Sequence, residues 1–428
     1  MDFVSNIKRY LNDEFVDSLL EAMSKDRTNS LILNTKKISS IEFQKKFPNV
    51  IPHPFLKKVF YYNKDEYEFG KSYLFTSGAY YIMDASSLLV SKFLPIENDD
   101  YVLDMCAAPG GKTISLVLSN LDKEFEVISN DISYMRSLET SKNIEHLGIS
   151  NVSVTYSSKS NYYSFYKEKF NKIILDAPCS GSAMFRKNEL AKSDWSIEKV
   201  ESCARIQNEL LEEAIFMLQK GGMISYSTCS FSYEENEEII LNALKNHPEM
   251  KLVKIEENDA FYRTKELPEA IHLFPNLYKG EGQFICILKK DGNPTKIKEV
   301  KNDLKEKNIL KKFNLYFKHD FVFNNLLYFH NNDLDLKPFS VLRRGLECGE
   351  FKKNNFIPSF HLSHYLDSEN SIILNEIEAK QYLHGEEIKK SLGLEKGYYV
   401  VSFEHINLGF VKYTNGSLKN LFPKGLRH

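Results

Sequence analysis

Cys179 and Cys229 each close an apolar run, KIILDAP before the first and MISYST before the second, and small or turn-forming residues flank both. In open α/β sheets, ligands bind beyond the carboxyl ends of the strands. Two thiols and the carboxylate of Asp176 would then face one crevice. That set suits methylation of cytosine at C5, a carbon that is a poor nucleophile on its own. A thiolate adding to C6 turns the ring into an enamine whose C5 can attack a sulfonium methyl. Asp176 is the candidate acid near N3. One thiol would be the nucleophile and the other would assist β-elimination; the residue types leave open which is which. Lys112 is the candidate cation to favour the thiolate.

A site for the methyl donor stands earlier in the chain. The segment VLDMCAAPGGKT reads as a buried strand, a small-residue loop and a helix start. Its loop, Cys106, Ala107, Ala108, Pro109, Gly110, Gly111 and Lys112, would let a ligand approach the backbone and would offer free helix N–H groups. Asp131 ends the next strand, about 20 residues on, where a carboxylate accepts from ribose hydroxyls in Rossmann-like folds. The loop is neither GxGxxG nor GxxxxGK[ST]. It therefore points to S-adenosylmethionine before a dinucleotide or a nucleoside triphosphate.

The elements that must position these groups follow from periodicity. Strand candidates at 101–105, 125–131, 152–156, 172–178, 223–230 and 284–290 alternate with helical stretches, one from Lys112 and one around Glu209 to Leu218 closed by Gly221-Gly222. That alternation predicts a mostly parallel, doubly wound α/β sheet over residues 76–290. Before it, residues 1–75 read as a small helical and mixed module, expected to bind RNA, opened by an amphipathic helix and punctuated by the loop FPNVIPHPF. A polar, lysine-rich linker or exposed helix is expected at 291–310 and an intermediate region at 311–380. A β-module is expected at 381–428, with a hairpin turn at Asn415-Gly416. A chain of 428 residues with 42% hydrophobic content has room for two or three packed domains. Its net charge of −2 confines any nucleic-acid contact to a local basic patch. No run approaches the roughly 20 apolar residues of a membrane span. The six cysteines form no CxxC knuckle, so no metal is expected and reduced, cytoplasmic thiols are the reading. Cys203, Cys286 and Cys348 read as core residues, as does the side chain of Cys106.

CAAPGGKT, Asp131, DAPCSG and STCS resemble, in order and spacing, the RNA 5-cytosine methyltransferase family, the Nol1/Nop2/Sun group. GSAMFRKN after DAPCSG, GEGQF at 280–284 and the terminal GSLKNLFPKGLR resemble its bacterial RsmF/YebU-like branch. The resemblance covers the chain end to end and implies a Rossmann-like methyltransferase core with a C-terminal PUA-like RNA-binding module. It implies Cys229 as nucleophile and Cys179 as the thiol that promotes release. The loop Cys106–Lys112 with Asp131 and Asp176 becomes the cofactor pocket, and small-subunit 16S ribosomal RNA near the decoding centre the target. Ser158 stands where many members carry an acid near the adenine. Met83 replaces a usual glutamine, Ile32 an arginine and Asn276 a histidine.

Arg186 and Lys187, just past the first cysteine, and Lys412, Lys419 and Lys424 in the tail are the candidate RNA contacts. Aromatic residues interleave with the tail lysines and could stack bases. The target base must be flipped out or lie in locally open RNA. The expected partner is ribosomal RNA or the small subunit, bound by a monomer. Two alternatives stay open: a DNA cytosine-C5 methyltransferase, which would use the Pro-Cys pair at Cys179 as its nucleophile, and a non-catalytic ribosome-assembly factor.

Overall fold

The computed structural model describes residues 1–158, 163–187, 189–294, 315, 317–331, 333–352 and 355–427. Most of the expected linker, residues 295–310, lies outside them. Among the described residues no helix is long and apolar enough to cross a membrane.

The chain opens with two helices, Phe3–Ile7 and Asp13–Ser24, where sequence periodicity predicts one. The break falls at Asn12, whose side chain accepts from the backbone N–H of Phe15 and so caps the second helix. Four strands follow: β1 (Asn29–Leu33), β2 (Ile51–Pro52), β3 (Val59–Tyr62) and β4 (Tyr80–Ile82), ordered β2-β3-β1-β4. Ile51–Pro52 lies inside the stretch expected to be loop. Proline is tolerated there because β2 is an edge strand. The first sheet thus extends past residue 75 to Ile82.

The central sheet has nine strands, in the order β10 (Met250–Val253), β12 (Gln283–Lys290), β9 (Leu218–Thr228), β8 (Phe170–Asp176), β5 (Tyr101–Asp104), β6 (Glu126–Asp131), β7 (Val152–Tyr156) and β15 (Val341–Arg344), with β11 (Ile271–Leu273) paired to β12. The five strands β5 to β9 run parallel and the flanking ones antiparallel. The chain winds outward from β5 through β6 to β7, then returns to β8 on the other side of β5. That reversal is the switch point where a crevice opens at the carboxyl ends. Alternate residues feed two cores. Val102, Ile174, Ile285 and Ile287 pack on one face of the sheet, and Leu103, Ile173, Leu175, Phe284 and Leu288 on the other.

β9 starts at Leu218, directly after the helix Ile197–Met217. Gly221-Gly222 therefore do not close a helix. They sit in a register shift against β8, with Gly221 at φ +76° and no room for a Cβ at Gly222 beside the carbonyl of Asn171 (2.8 Å).

Beyond the linker, β13 (His319–Phe323), β14 (Leu326–His330), β16 (Leu346–Lys352) and β17 (Asn355–Pro358) form a four-stranded sheet, while β15 crosses back to extend the central one. A final five-stranded sheet orders β18 (Ile372–Ile373), β20 (Gly397–Phe403), β21 (Ile406–Thr414), β22 (Ser417–Asn420) and β19 (Ile388–Lys389). Asn415 and Gly416 both take positive φ and close the β21–β22 hairpin as expected.

Candidate active site

β5 and β8 end side by side at Asp104 and Asp176, and β9 ends next to β8, leading into Cys229. The sulfurs of Cys179 and Cys229 lie 3.0 Å apart. Both are free thiols, half-buried. Asp176 receives three donors: Lys112 Nζ at 2.6 Å, Ser227 Oγ at 2.6 Å and Gln283 Nε2 at 2.9 Å. A carboxylate so occupied accepts hydrogen bonds, and the shareable proton of the pair sits on Lys112. Burial lowers the pKa of Lys112, but the negative charges of Asp176, Cys229 and Asp104 outweigh it and leave the ammonium favoured. The thiol of Cys179 is held well above its ordinary pKa, first by its hydrogen bond to Cys229, then by burial and by the negative charges of Cys229, Glu235 and Asp176.

The glycine-containing loop is held from several sides. Ala107 N donates to Asn130 O, and Ala108 N to Asp131 Oδ2 at 3.3 Å. Arg136 donates to Ala108 O at 2.8 Å and lies 3.4 Å from Asp131. Gly110 takes φ +98°, and a Cβ there would meet Thr140 at 3.0 Å. At Gly111 a Cβ would meet Met83 at 3.0 Å, so the residue that departs from the family pattern packs on the loop itself. The glycines serve backbone conformation and packing first. Cys106, its thiol pushed up by burial, flanks this loop. Pro109 offers its carbonyl to Asn143 (2.9 Å). Ser158 follows Ser157, whose N–H donates to the backbone oxygen of Asp131 (3.1 Å).

The donor set fits S-adenosylmethionine. Asp131 is buried at a strand end. Asp104, fully buried, keeps Oδ1 without a partner while Oδ2 accepts from Thr113 (2.7 Å), so one buried acceptor is left unpaired at the end of the strand that leads into the loop. Its pKa is pushed up to about 7, first by burial and then by the charges of Asp176 and Asp131.

Three family models match the chain: the N-terminal domain of 16S rRNA methyltransferase RsmF at residues 1–85, 16S rRNA methyltransferase RsmB/F at 91–289 and the methyltransferase RsmF PUA domain at 369–428. The chain belongs to the RsmB/F methyltransferase family. Among relatives of this family, ribosomal RNA small subunit methyltransferase F of Shewanella woodyi is 29% identical, covering 99% of this chain and 96% of that protein. The Vibrio cholerae protein of the same name is 26% identical with equal coverage. A solved methyltransferase homologue from Pyrococcus horikoshii, 28% identical, superposes with a TM-score of 0.59 over 67% of this chain and 93% of its own. The Rossmann-like core and C-terminal PUA domain are those of the family.

As an RsmB/F member the chain shows residues that sequence reading passed over. Asp104 could have been found from its place at the end of the strand that opens the loop. Gln283 lies within GEGQF, and its spacing gives no hint that it reaches Asp176. Ile132, 74% exposed beside Asp131, offers an apolar surface at the crevice. Of the expected RNA contacts, Arg186 is a correction. Its side chain is 9% exposed, paired with Glu281 (3.0 Å) and donating to Gly280 O and Ala22 O. A guanidinium so engaged ties three segments together and is not free for phosphate. Lys187, Lys419 and Lys424 are exposed, and Lys412 lies 5.5 Å over the Tyr398 ring. Phe410, Tyr413 and Phe422 are core residues, unavailable for stacking. Ile32 is buried in the central core, and Asn276 donates to Ser18 on the second helix (3.4 Å).

Proposed function

We propose that this chain methylates C5 of a cytosine in small-subunit ribosomal RNA through a covalent bond between Cys229 and C6. The observation that carries the reading is the pair of sulfurs 3.0 Å apart at adjacent strand ends, in the crevice that also holds Lys112 and Asp176. Bound S-adenosylmethionine supplies an electrophilic methyl group, and Asp131, Asp104 and the loop from Cys106 to Lys112 are the residues to hold it. Cys229 adds to C6. Lys112 is the proton donor toward N3, and Asp176 the acceptor for the exocyclic amine, a division of roles that refines the expectation of Asp176 as acid. After methylation Cys179 gives its proton to the departing Cys229 sulfur and takes the C5 proton in exchange. C5 thus loses its hydrogen, the N3 proton returns to Lys112, and the C6–S bond breaks, leaving Cys179 as a thiol and Cys229 as a thiol that gives its proton to solvent before the next addition. Lys187 and the tail lysines 412, 419 and 424 supply phosphate contacts.

The test is transfer of a labelled methyl group to small subunits, naked ribosomal RNA and DNA, with the modified base mapped by bisulfite sequencing. Cys229→Ala abolishes turnover, and Cys179→Ala accumulates a protein–RNA adduct stable to denaturing electrophoresis. A fully active Cys179→Ala protein without adduct sinks the assignment of roles; methylation of DNA alone sinks the substrate.

A further inference from the structure

The two cysteines are chemically alike and share one crevice, yet the reaction needs one as thiolate and the other as thiol. Glu235, six residues beyond Cys229, is fully buried and reaches the loops of both. Its Oε1 accepts from Ser180 N (2.7 Å) and from Gln207 Nε2 (3.1 Å). Its Oε2 accepts from the hydroxyls of Ser180 and Ser230, the residues that directly follow Cys179 and Cys229. Gln207 also donates to Pro178 O (2.8 Å), the residue before Cys179. Four donors to one carboxylate favour its charged form. Burial opposes this and raises the pKa of Glu235, with the Ser180, Ser230 and Gln207 hydrogen bonds acting against it. Cys179 is faced first by the Cys229 sulfur that it hydrogen-bonds, and besides burial the negative charges of Cys229, Glu235 and Asp176 weigh against its ionisation, whereas Cys229 interacts with the Lys112 ammonium.

We propose that Glu235 is a positioning residue that clamps the two cysteine loops in register and, by its negative charge, keeps the proton on Cys179, so that Cys229 alone acts as nucleophile. This rests on the thiolate reading above. It adds that the identity of the nucleophile is set by a buried carboxylate that touches neither substrate nor cofactor.

The experiment reads each thiol separately. The full chain is alkylated with iodoacetamide across pH 6–10 (about the range in which cysteine thiols titrate), and Cys179 and Cys229 peptides are quantified by mass spectrometry. In Glu235→Gln, which keeps the shape and loses the charge, the alkylation midpoint of Cys179 falls by about one pH unit, so that its labelling rate at pH 7 rises about tenfold. The Cys229 midpoint moves much less. Glu235→Asp keeps a charge and holds the Cys179 midpoint near that of the wild type. A purely structural role would change the labelling rates of both thiols without moving the Cys179 midpoint, and that result overturns the proposal. Should Glu235→Gln fail to fold, Cys229→Ser decides. A return of Cys179 to the ordinary thiol range near about 8.5 shows that Cys229 alone had raised it and overturns the proposal; a midpoint that stays up but falls when Glu235→Ala is added supports it, and one that does not fall assigns the shift to burial and overturns it. Because alkylation needs no turnover, failure here leaves the methyltransfer reading standing. A wild-type protein that differentiates its thiols but methylates no RNA overturns that reading instead.

Discussion

Lys112 and Asp176 form one unit, and the cost of breaking it separates chemistry from binding. Asp176→Asn keeps an acceptor for Ser227 or Gln283 but removes the charge opposite Lys112. Turnover should fall by about 10²–10⁴-fold, the usual worth of a positioned proton-transfer group. Cofactor affinity measured by calorimetry should change far less, and an equal loss in both would assign Asp176 to cofactor binding alone. Asp104 gives a pH signature. Its pKa is raised to about 7 in the folded protein, against an ordinary 3.8. The protonated form is therefore the one favoured by folding. Its contribution to stability is complete below about pH 4 and is lost as pH rises through 7. A cationic ligand beside Asp104 needs the ionised form, so S-adenosylmethionine should bind more tightly from pH 6 to pH 8 and release protons near neutrality. Calorimetry in buffers of different ionisation enthalpy measures that release, and affinity flat across this range would remove Asp104 from the site.

At the scale of elements, the loop after β5 depends on backbone conformations that only certain residues tolerate. Gly110 is left-handed at φ +98° with Thr140 at 3.0 Å from a would-be Cβ. Gly110→Ala should cost about 1–2 kcal/mol, read as a roughly tenfold loss of cofactor affinity together with a lower melting temperature. Unchanged values would mean that the loop relaxes freely. The six strands that matter to the site were legible because each is a short apolar run bounded by turn residues. The start of β9 was not: the helix Ile197–Met217 runs into the strand with no breaker between them, and the glycines that looked like a cap shape a bulge inside the strand. The turn between β20 and β21 was also hidden. Glu404 and His405 both take positive φ, although neither is the residue type that announces such a turn. Glu404 there accepts from Lys46 (2.8 Å) and from Tyr73, which docks the PUA domain on the N-terminal module.

Across the whole molecule, the N-terminal helices are part of the scaffold of the candidate site. Ile7, Leu11, Val16 and Leu19 pack with Ala183, Phe231 and Phe274, against the loops that follow the two cysteines, and Tyr10 donates to the carbonyl of Phe231. Leu19→Ala, at a fully buried position, should cost about 2–4 kcal/mol. Deuterium exchange should rise in residues 229–235 and stay unchanged in the PUA sheet. Faster exchange confined to the first helices would show that they fold apart from the site. RNA binding is a matter of local charge on a nearly neutral chain. Replacing Lys419 and Lys424 by alanine should weaken binding to ribosomal RNA and reduce its salt dependence by about 0.7–0.9 in log–log slope per lost contact. A slope that does not move would place the phosphate contacts elsewhere.

The sequence by itself determined the class of sheet, the order of its strands along the chain and the residues at their carboxyl ends. These are local properties: apolar runs of a given length, turn residues and reactive side chains at fixed offsets. Only the tertiary structure decided that the two sulfurs meet, that Asp176 is held as an acceptor by Ser227 and Gln283, and that Glu235 joins both cysteine loops. It also decided that Arg186 is committed to Glu281. Each of these depends on segments from 50 to 107 residues apart being brought within hydrogen-bond range. Packing across the sheet fixes such distances, and no local pattern in the chain encodes them.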